Sequence, residues 1–210
     1  RTLGEYDFLF RDASTVVCHW EAAVKFYLQA EPLAEQRAFI GPGTRDRLDL
    51  KLNRVFQHQL LLGSTQAGQL ALPTGIQVDK AQAFIKGYLF NHASGLRPAP
   101  VSGVSATHLT GWWVRHQCEK LPQASADSRW IILPRLRWLA PARLPGSADV
   151  MNDEALASRL DEHFQLHGEA LLLVELALTT AGEWQEVTRG FVVCSTWPTL
   201  GNIQNSSASR

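Results

Sequence analysis

Hydrophobic and polar positions alternate along Leu3 to Arg11, and do so again over a long β-branched and aromatic run from Val16 to Leu28. Asp12-Ala13-Ser14 supplies turn chemistry between the two runs, so the pattern predicts an antiparallel hairpin. Period-two parity puts Val16, Cys18, Trp20, Ala22, Val24, Phe26 and Leu28 on one face of the second strand, read as its core face. His19, Glu21, Ala23, Lys25 and Tyr27 share the other face, which is unusually polar for so long a run. On the first strand Tyr6, Phe8 and Phe10 lie on one side, and Glu5 and Asp7 on the opposite one. Gly41-Pro42-Gly43 then breaks the chain, and Thr44 is placed to N-cap a helix running to Leu62, with Gly63 as its stop. Leu48, Leu52, Val55, Phe56 and Gln59 mark the inner side of that helix, and Arg45, Arg47, Lys51 and Arg54 supply cations elsewhere on it. Residues 64–80 read as loop, and strand texture returns over Ala83 to Phe90.

The rest of the chain has a different texture. A Gly/Pro/Ser-rich link over 94–105 precedes two aromatic strand-like runs, Gly111 to Gln117 and Trp130 to Leu139, and a helix predicted over Asn152 to Phe164. A hairpin follows, Ala170 to Thr179 and Trp184 to Cys194, turning at Ala181-Gly182. The expected organisation is a core over 1–93, a β-rich extension with one helix over 106–198, and a polar tail over 199–210.

Composition narrows the class. The 210 residues can remove roughly 70% of the unfolded chain's surface from water, enough for a sizeable core. Hydrophobic residues at 45% exclude a disordered chain, and 20 Lys+Arg against 20 Asp+Glu exclude a uniformly cationic nucleic-acid binder. The neutral sum hides segments of opposite sign. Between 109 and 143 six Lys/Arg face two acids, whereas between 149 and 189 nine acids face only Arg159 and Arg189. No run approaches the ~18 apolar residues of a membrane span, so no membrane association is expected. Cys18, Cys118 and Cys194 are odd in number and far apart, which suits a reducing compartment. Together with the lack of a signal-peptide pattern, this gives a cytoplasmic location as the expectation.

Acids on adjacent strands with a lysine on the same face are what a metal-dependent phosphodiesterase uses. Carboxylates hold Mg²⁺, the ion polarises the phosphoryl oxygen and activates a water, and an ammonium offsets the developing charge. Asp7, Glu21 and Lys25 are the right types in the right neighbourhood, and Glu5 shares parity with Asp7 as a further carboxylate. The same residues also suit ordinary cross-strand pairs on a half-buried sheet. Arg45, Arg47 and Lys51 at the start of a helix favour a phosphate, although Asp46 and Asp49 make an ion-paired helix surface the alternative. His19 reads either as a proton carrier or metal ligand, or as a hydrogen-bonded structural residue beside Trp20. Trp112, Trp113, Trp130 and Trp138, interleaved with Arg115, Arg135 and Arg137, fit either a stacking platform for single-stranded nucleic acid or a packed core. His163 and His167 have zinc-compatible spacing but no third ligand nearby. Signatures of serine hydrolases, P-loop NTPases and zincins are missing from the sequence.

The run Gly4-Glu5-Tyr6-Asp7-Phe8-Leu9, a short turn, then Val17-Cys18-His19-Trp20-Glu21-Ala22-Ala23-Val24-Lys25, a helix and a further strand together resemble the core of the PD-(D/E)XK nuclease superfamily. More narrowly, Leu3 to Leu9, His19 to Leu28, Gly41 to Asp49, Lys86 to Phe90 and Gly111-Trp112-Trp113 resemble the bacterial family catalogued as domain of unknown function 1853. The superfamily resemblance implies an α/β (α+β) fold with a mixed sheet of restriction-endonuclease-like type, here followed by the β-rich extension. It makes Asp7 and Glu21 metal and catalytic carboxylates for Mg²⁺ or Mn²⁺, Lys25 the catalytic ammonium and nucleic acid the partner. It also places that core's first helix and first strand upstream of Arg1. The superfamily spaces its acid and lysine two residues apart. Here Glu21 and Lys25 are four apart, about 6.6 Å further along a strand, and Ala23 stands where the lysine is expected. A non-catalytic nucleic-acid- or protein-binding module that keeps the fold is the alternative reading.

Overall fold

A computed structural model of the chain describes residues 4–95 and 100–198, so the polar tail expected over 199–210 lies outside the described residues. The protein is a mixed α+β structure: a sheet of parallel and antiparallel strands with few helices. It divides into two compact units, Arg1–Lys25 with Leu48–Gly87, and Phe26–Arg47 with Tyr88–Arg210. The long strands β2 (Val17–Gln29) and β4 (Lys80–His92) each contribute residues to both.

In the first unit β1 (Phe8–Arg11) pairs antiparallel with β2, Phe8 opposite Trp20 and Arg11 opposite Val17. The predicted hairpin is therefore present, but its first strand is shorter than the alternation suggests. Gly4 to Tyr6 are irregular and Asp7 sits in a bend, so parity does not set which way Glu5 and Asp7 face. The contacts of Val17 with Asp79 and of Trp20 with Gln82 keep a constant offset of 62 residues, the signature of a parallel β2–β4 pair. Such a pair needs a crossover. Helical segments in the first unit fall between the two strands: α1 (Leu48–Arg54), a π-helical turn over Val55–Gln59 closed by the Leu60 N–H on the Val55 carbonyl at 2.9 Å, a 3₁₀ turn at Leu62–Ser64, and α2 (Gln66–Leu70).

Three expectations about this region are corrected. The helix begins at Leu48, not Thr44: Thr44 has φ +57° in a turn where its N–H donates to Gly41 and the Gly41 N–H donates to Asp46, each at 2.8 Å. Arg45 and Arg47 thus precede the helix, Arg47 in a β-bridge with Ile40, and only Lys51 of the three expected phosphate ligands lies on α1. Phe56 is 46% exposed, while Leu48, Leu52 and Val55 are buried as the periodicity requires. Residues 64–80 contain α2, whose Thr65 cap accepts from the Gly68 N–H at 3.0 Å.

In the second unit the sheet runs β4-β5-β9-β8-β6, with β5 (Leu109–Arg115) parallel to its neighbours β4 and β9. The predicted closing hairpin is β8 (Leu171–Leu178) and β9 (Glu183–Val193), and β6 (Arg129–Leu133) adds antiparallel to β8. Short strands β3 (Phe39–Ile40) and β7 (Arg143–Pro145) pair with β2 and β9. The helix α3 (Asp153–Leu166) starts where predicted, Asn152 accepting from the Ala155 N–H at 2.8 Å. Its Leu156 and Leu160 pack with Trp112, Trp130, Leu173 and Val192, and a second core holds Phe90, Trp113, Leu172, Val174 and Phe191. The run beyond β6 is not strand: Pro134 ends the ladder and Arg135–Arg137 form a 3₁₀ turn.

One backbone contact bears directly on the face that carries Lys25. Gly87 in β4 has φ +144°, and a Cβ there would collide with the Lys25 carbonyl. Replacing Gly87 with valine is expected to lower stability by about 1–3 kcal/mol or more, read as a reduced midpoint of denaturant unfolding; an unchanged midpoint would contradict this packing.

Candidate functional site

The polar face of β2 is an interior face in the first unit. His19 is fully buried and Glu21 is 2% exposed, whereas Val24 on the opposite face is 52% exposed, together with Phe8 and Phe84. The expectation that the even-numbered face forms the core therefore holds at Cys18, which is buried, and fails at Val24, and the polar face is interior as well. The cause is the helical crossover. It covers the odd-numbered face, and Gln59, on the inner side of the helical segment, reaches Glu21 through its Nε2, which donates to Oε2 at 2.5 Å.

A buried carboxylate needs compensation, and Glu21 has it on both oxygens. Its Oε1 lies 2.7 Å from His19 Nε2. The Tyr6 ring stands edge-on to the His19 imidazole at 4.7 Å between centroids, and burial pushes the Tyr6 phenol above its ordinary value, keeping it a neutral donor. Tyr6 Oη, His19 Nδ1 and Gln59 Oε1 are buried without a hydrogen-bond partner among the described residues. A chain of polar groups, Tyr6, His19, Glu21 and Gln59, thus lies beneath the helices.

Asp7 joins this cluster from the bend before β1. Its Oδ2 accepts the backbone N–H of Ala22 at 2.9 Å, so its carboxylate is docked on the residue following Glu21. Asp7 itself is exposed, which leaves one side of the pair open to solvent. Lys25 shares the odd-numbered face of β2 with Glu21 and is half-buried. Glu5 is exposed in the irregular segment ahead of the strand. Arg45 and Arg47 belong to the second unit, and Lys51 to the first. The structure thus docks Asp7 on the backbone N–H of Ala22, next in the chain to Glu21, and sets His19 and Gln59 around Glu21. The helical period already placed Gln59 inward, but no local motif tied it to Glu21.

Among the described residues no group of three or more His, Cys, Asp or Glu side chains could hold a metal ion. A magnesium ion asks for less, one or two carboxylates with waters and substrate phosphate completing its shell. Asp7 and Glu21 carry hard oxygen donors of that kind, the Glu21 oxygens being already engaged by His19 and Gln59, and the Gln59 Oε1 is buried without a partner among the described residues.

The other candidates resolve as structure. Trp112, Trp113 and Trp130 are buried, and the partly buried Trp138 packs against the second unit's core, so they form no stacking platform. The Trp113 indole donates to the Gln29 carbonyl and that of Trp130 to Asp153. Arg115 is paired with Glu119 and stacked on Trp113. His163 Nε2 is spent on the Glu169 carbonyl at 2.9 Å. No helix among the described residues is long and apolar enough to cross a membrane.

Replacing Gln59 with leucine strands the buried Glu21 Oε2 and is expected to cost about 1–3 kcal/mol in urea unfolding. His19→Leu and Glu21→Leu together should cost less than the sum of the two single changes, because His19→Leu strands the buried Glu21 Oε1 and Glu21→Leu strands the buried His19 Nε2. Additive costs would show that the pair is not coupled.

Among known proteins, one family model, described as Domain of unknown function (DUF1853), matches residues 1–193. No curated protein and no solved structure matches the chain.

Proposed function

The chain belongs to the DUF1853 family, and from the geometry of its first unit we propose that it is a Mg²⁺- or Mn²⁺-dependent phosphodiesterase acting on nucleic acid. One observation carries this reading: the Asp7 carboxylate is docked on the backbone beside Glu21, an acid buried and oriented by two dedicated partners. A salt-bridged sheet surface has no need to bury an acid in this way, whereas a metal ligand must be held in one orientation. The resemblance of the strand-strand-helix-strand order to the PD-(D/E)XK core supports the same assignment.

Asp7 and Glu21 would hold the ion, and Asp7, being exposed, forms the open side where substrate enters. When bound, the metal supplies polarisation of a phosphoryl oxygen and a water of lowered pKa. Gln59 and His19 fix the rotamer of Glu21 from behind and are positioning residues. Lys25, on the same face, supplies the ammonium that orients the attacking water or offsets charge on the transferred phosphoryl group.

The test is cleavage of duplex DNA, single-stranded DNA and RNA by the purified protein with Mg²⁺ or Mn²⁺. Asp7→Asn should remove metal-dependent turnover, and Gln59→Ala should lower it by about 10–100-fold through loss of ligand orientation. Turnover unchanged in Asp7→Asn would overturn the proposal. Absence of turnover on all three substrates, with no Mn²⁺ binding that depends on Asp7 and Glu21, would favour the non-catalytic binding module.

A further inference from the structure

The second unit contains a groove of about 650 Å³ that takes no part in the site above. It runs along β6, with Ile131, Ile132, Leu133, Met151 and Leu171 among its apolar lining, and Arg135, Arg159 and Asp149 as charged lining groups. Its size falls within the usual range for ligand pockets.

The chemistry of one wall is unusual. β6 is the last strand of its sheet, paired on one side with β8. On its other side Trp130 exchanges both backbone hydrogen bonds with Met151, at 2.8 and 2.9 Å, in an isolated bridge. In an antiparallel ladder alternate residues direct both backbone groups to the same side. The N–H and C=O of Ile132, two residues on from Trp130, therefore point away from β8, as those of Trp130 do. They face the groove side, where the bridge to Met151 is not continued. Among the described residues nothing pairs with that side of Ile132, and an unpaired strand edge is a template for another extended backbone.

Charge selects among extended backbones. From Ser128 to Arg143 the sequence carries Arg129, Arg135, Arg137 and Arg143 and no acid, and the groove lining sets Arg135 and Arg159 against the single carboxylate of Asp149. Arg135 is exposed and rests on the Trp138 ring, 6.0 Å from its centroid. Across the groove Arg159 is exposed and makes a surface pair with Glu162, which exchanges at little cost.

We propose that this groove binds a short extended peptide of a partner protein, with acidic and apolar residues alternating. The peptide backbone pairs with Ile132, its apolar side chains fill the Ile132–Met151–Leu171 floor, and its carboxylates meet Arg135 and Arg159. The pairing of an open edge with an apolar floor favours peptide over nucleic acid, which offers no backbone N–H to the Ile132 carbonyl. The inference does not depend on the phosphodiesterase reading.

The test uses the whole chain and a labelled, end-capped peptide of alternating leucine and glutamate, roughly five residues long, followed by fluorescence anisotropy. Binding should weaken by about tenfold or more when lysine replaces the glutamates, and similarly in Arg135→Glu and Arg159→Glu. Both arginines are exposed, so these variants should keep the parent unfolding midpoint. N-methylating the central peptide amide, which leaves every charge in place, should also weaken binding. No binding of the acidic peptide, equal affinity for the lysine peptide, or indifference to N-methylation would each overturn the proposal. So would a single-stranded oligonucleotide that displaces the peptide and itself loses affinity in Arg135→Glu, because it would assign the groove to nucleic acid.

Discussion

The first unit depends on the burial of one carboxylate. Glu21 is 2% exposed, and leaving such a group without partners would cost more than a typical net hydrogen bond returns. Two partners meet that demand, and a second acid is anchored on the neighbouring residue. His19 comes from two residues earlier on the same strand face, and Gln59 arrives from the helical crossover. Asp7 is tied to the next backbone amide by the bend ahead of β1. A side chain held in this way would lose little further freedom on engaging the proposed ion, so the same burial that strains stability would serve the proposed chemistry.

The second unit solves a related problem with a cation. Arg189 is 1% exposed, and its guanidinium donates to Glu186 at 2.5 and 2.6 Å, to the Ala140 carbonyl at 2.9 Å and to the Trp138 carbonyl, while lying over the Tyr88 ring. Glu186 in turn accepts the Ala142 N–H at 2.7 Å. This network ties the Trp138–Ala142 segment to β9, and that segment follows the Arg135–Arg137 turn at the groove. A fully satisfied buried network specifies one arrangement of the segments it joins. Here it fixes the chain that leaves the open edge of β6.

Much of this was legible in the residues. Alternation in Val16 to Leu28 and the turn at Ala181-Gly182 correspond to β2 and the β8–β9 hairpin, and Asn152 caps α3 where its side-chain chemistry indicates. The pairing of Asp7 with the neighbourhood of Glu21 was also legible, since a hairpin of that register brings the two together. Three local patterns misled. Gly41-Pro42-Gly43-Thr44 carries helix-start chemistry, yet the Gly41 and Thr44 N–H groups are taken up in a turn before Leu48. Gly4 to Tyr6 continue the alternation without making strand, because alternation records which sides are apolar and not whether a neighbour offers backbone partners. Parity separated the two faces of β2 correctly, but interior residues lie on both: Cys18 and Leu28 on the expected face, His19, Glu21 and Tyr27 on the polar one.

That last point divides the two kinds of information. Periods of 2 and 3.6 residues and local capping were enough to read β2, β4, the β8–β9 hairpin, α3 and which β2 side chains share a face. Where each face of β2 is covered is a long-range outcome, since it depends on where the helical crossover between β2 and β4 comes to rest. The same holds for Gln59 on Glu21, 38 residues away in sequence, and for the edge of β6 beyond the Trp130–Met151 bridge. Both are non-local hydrogen-bonding outcomes, and no local period encodes them.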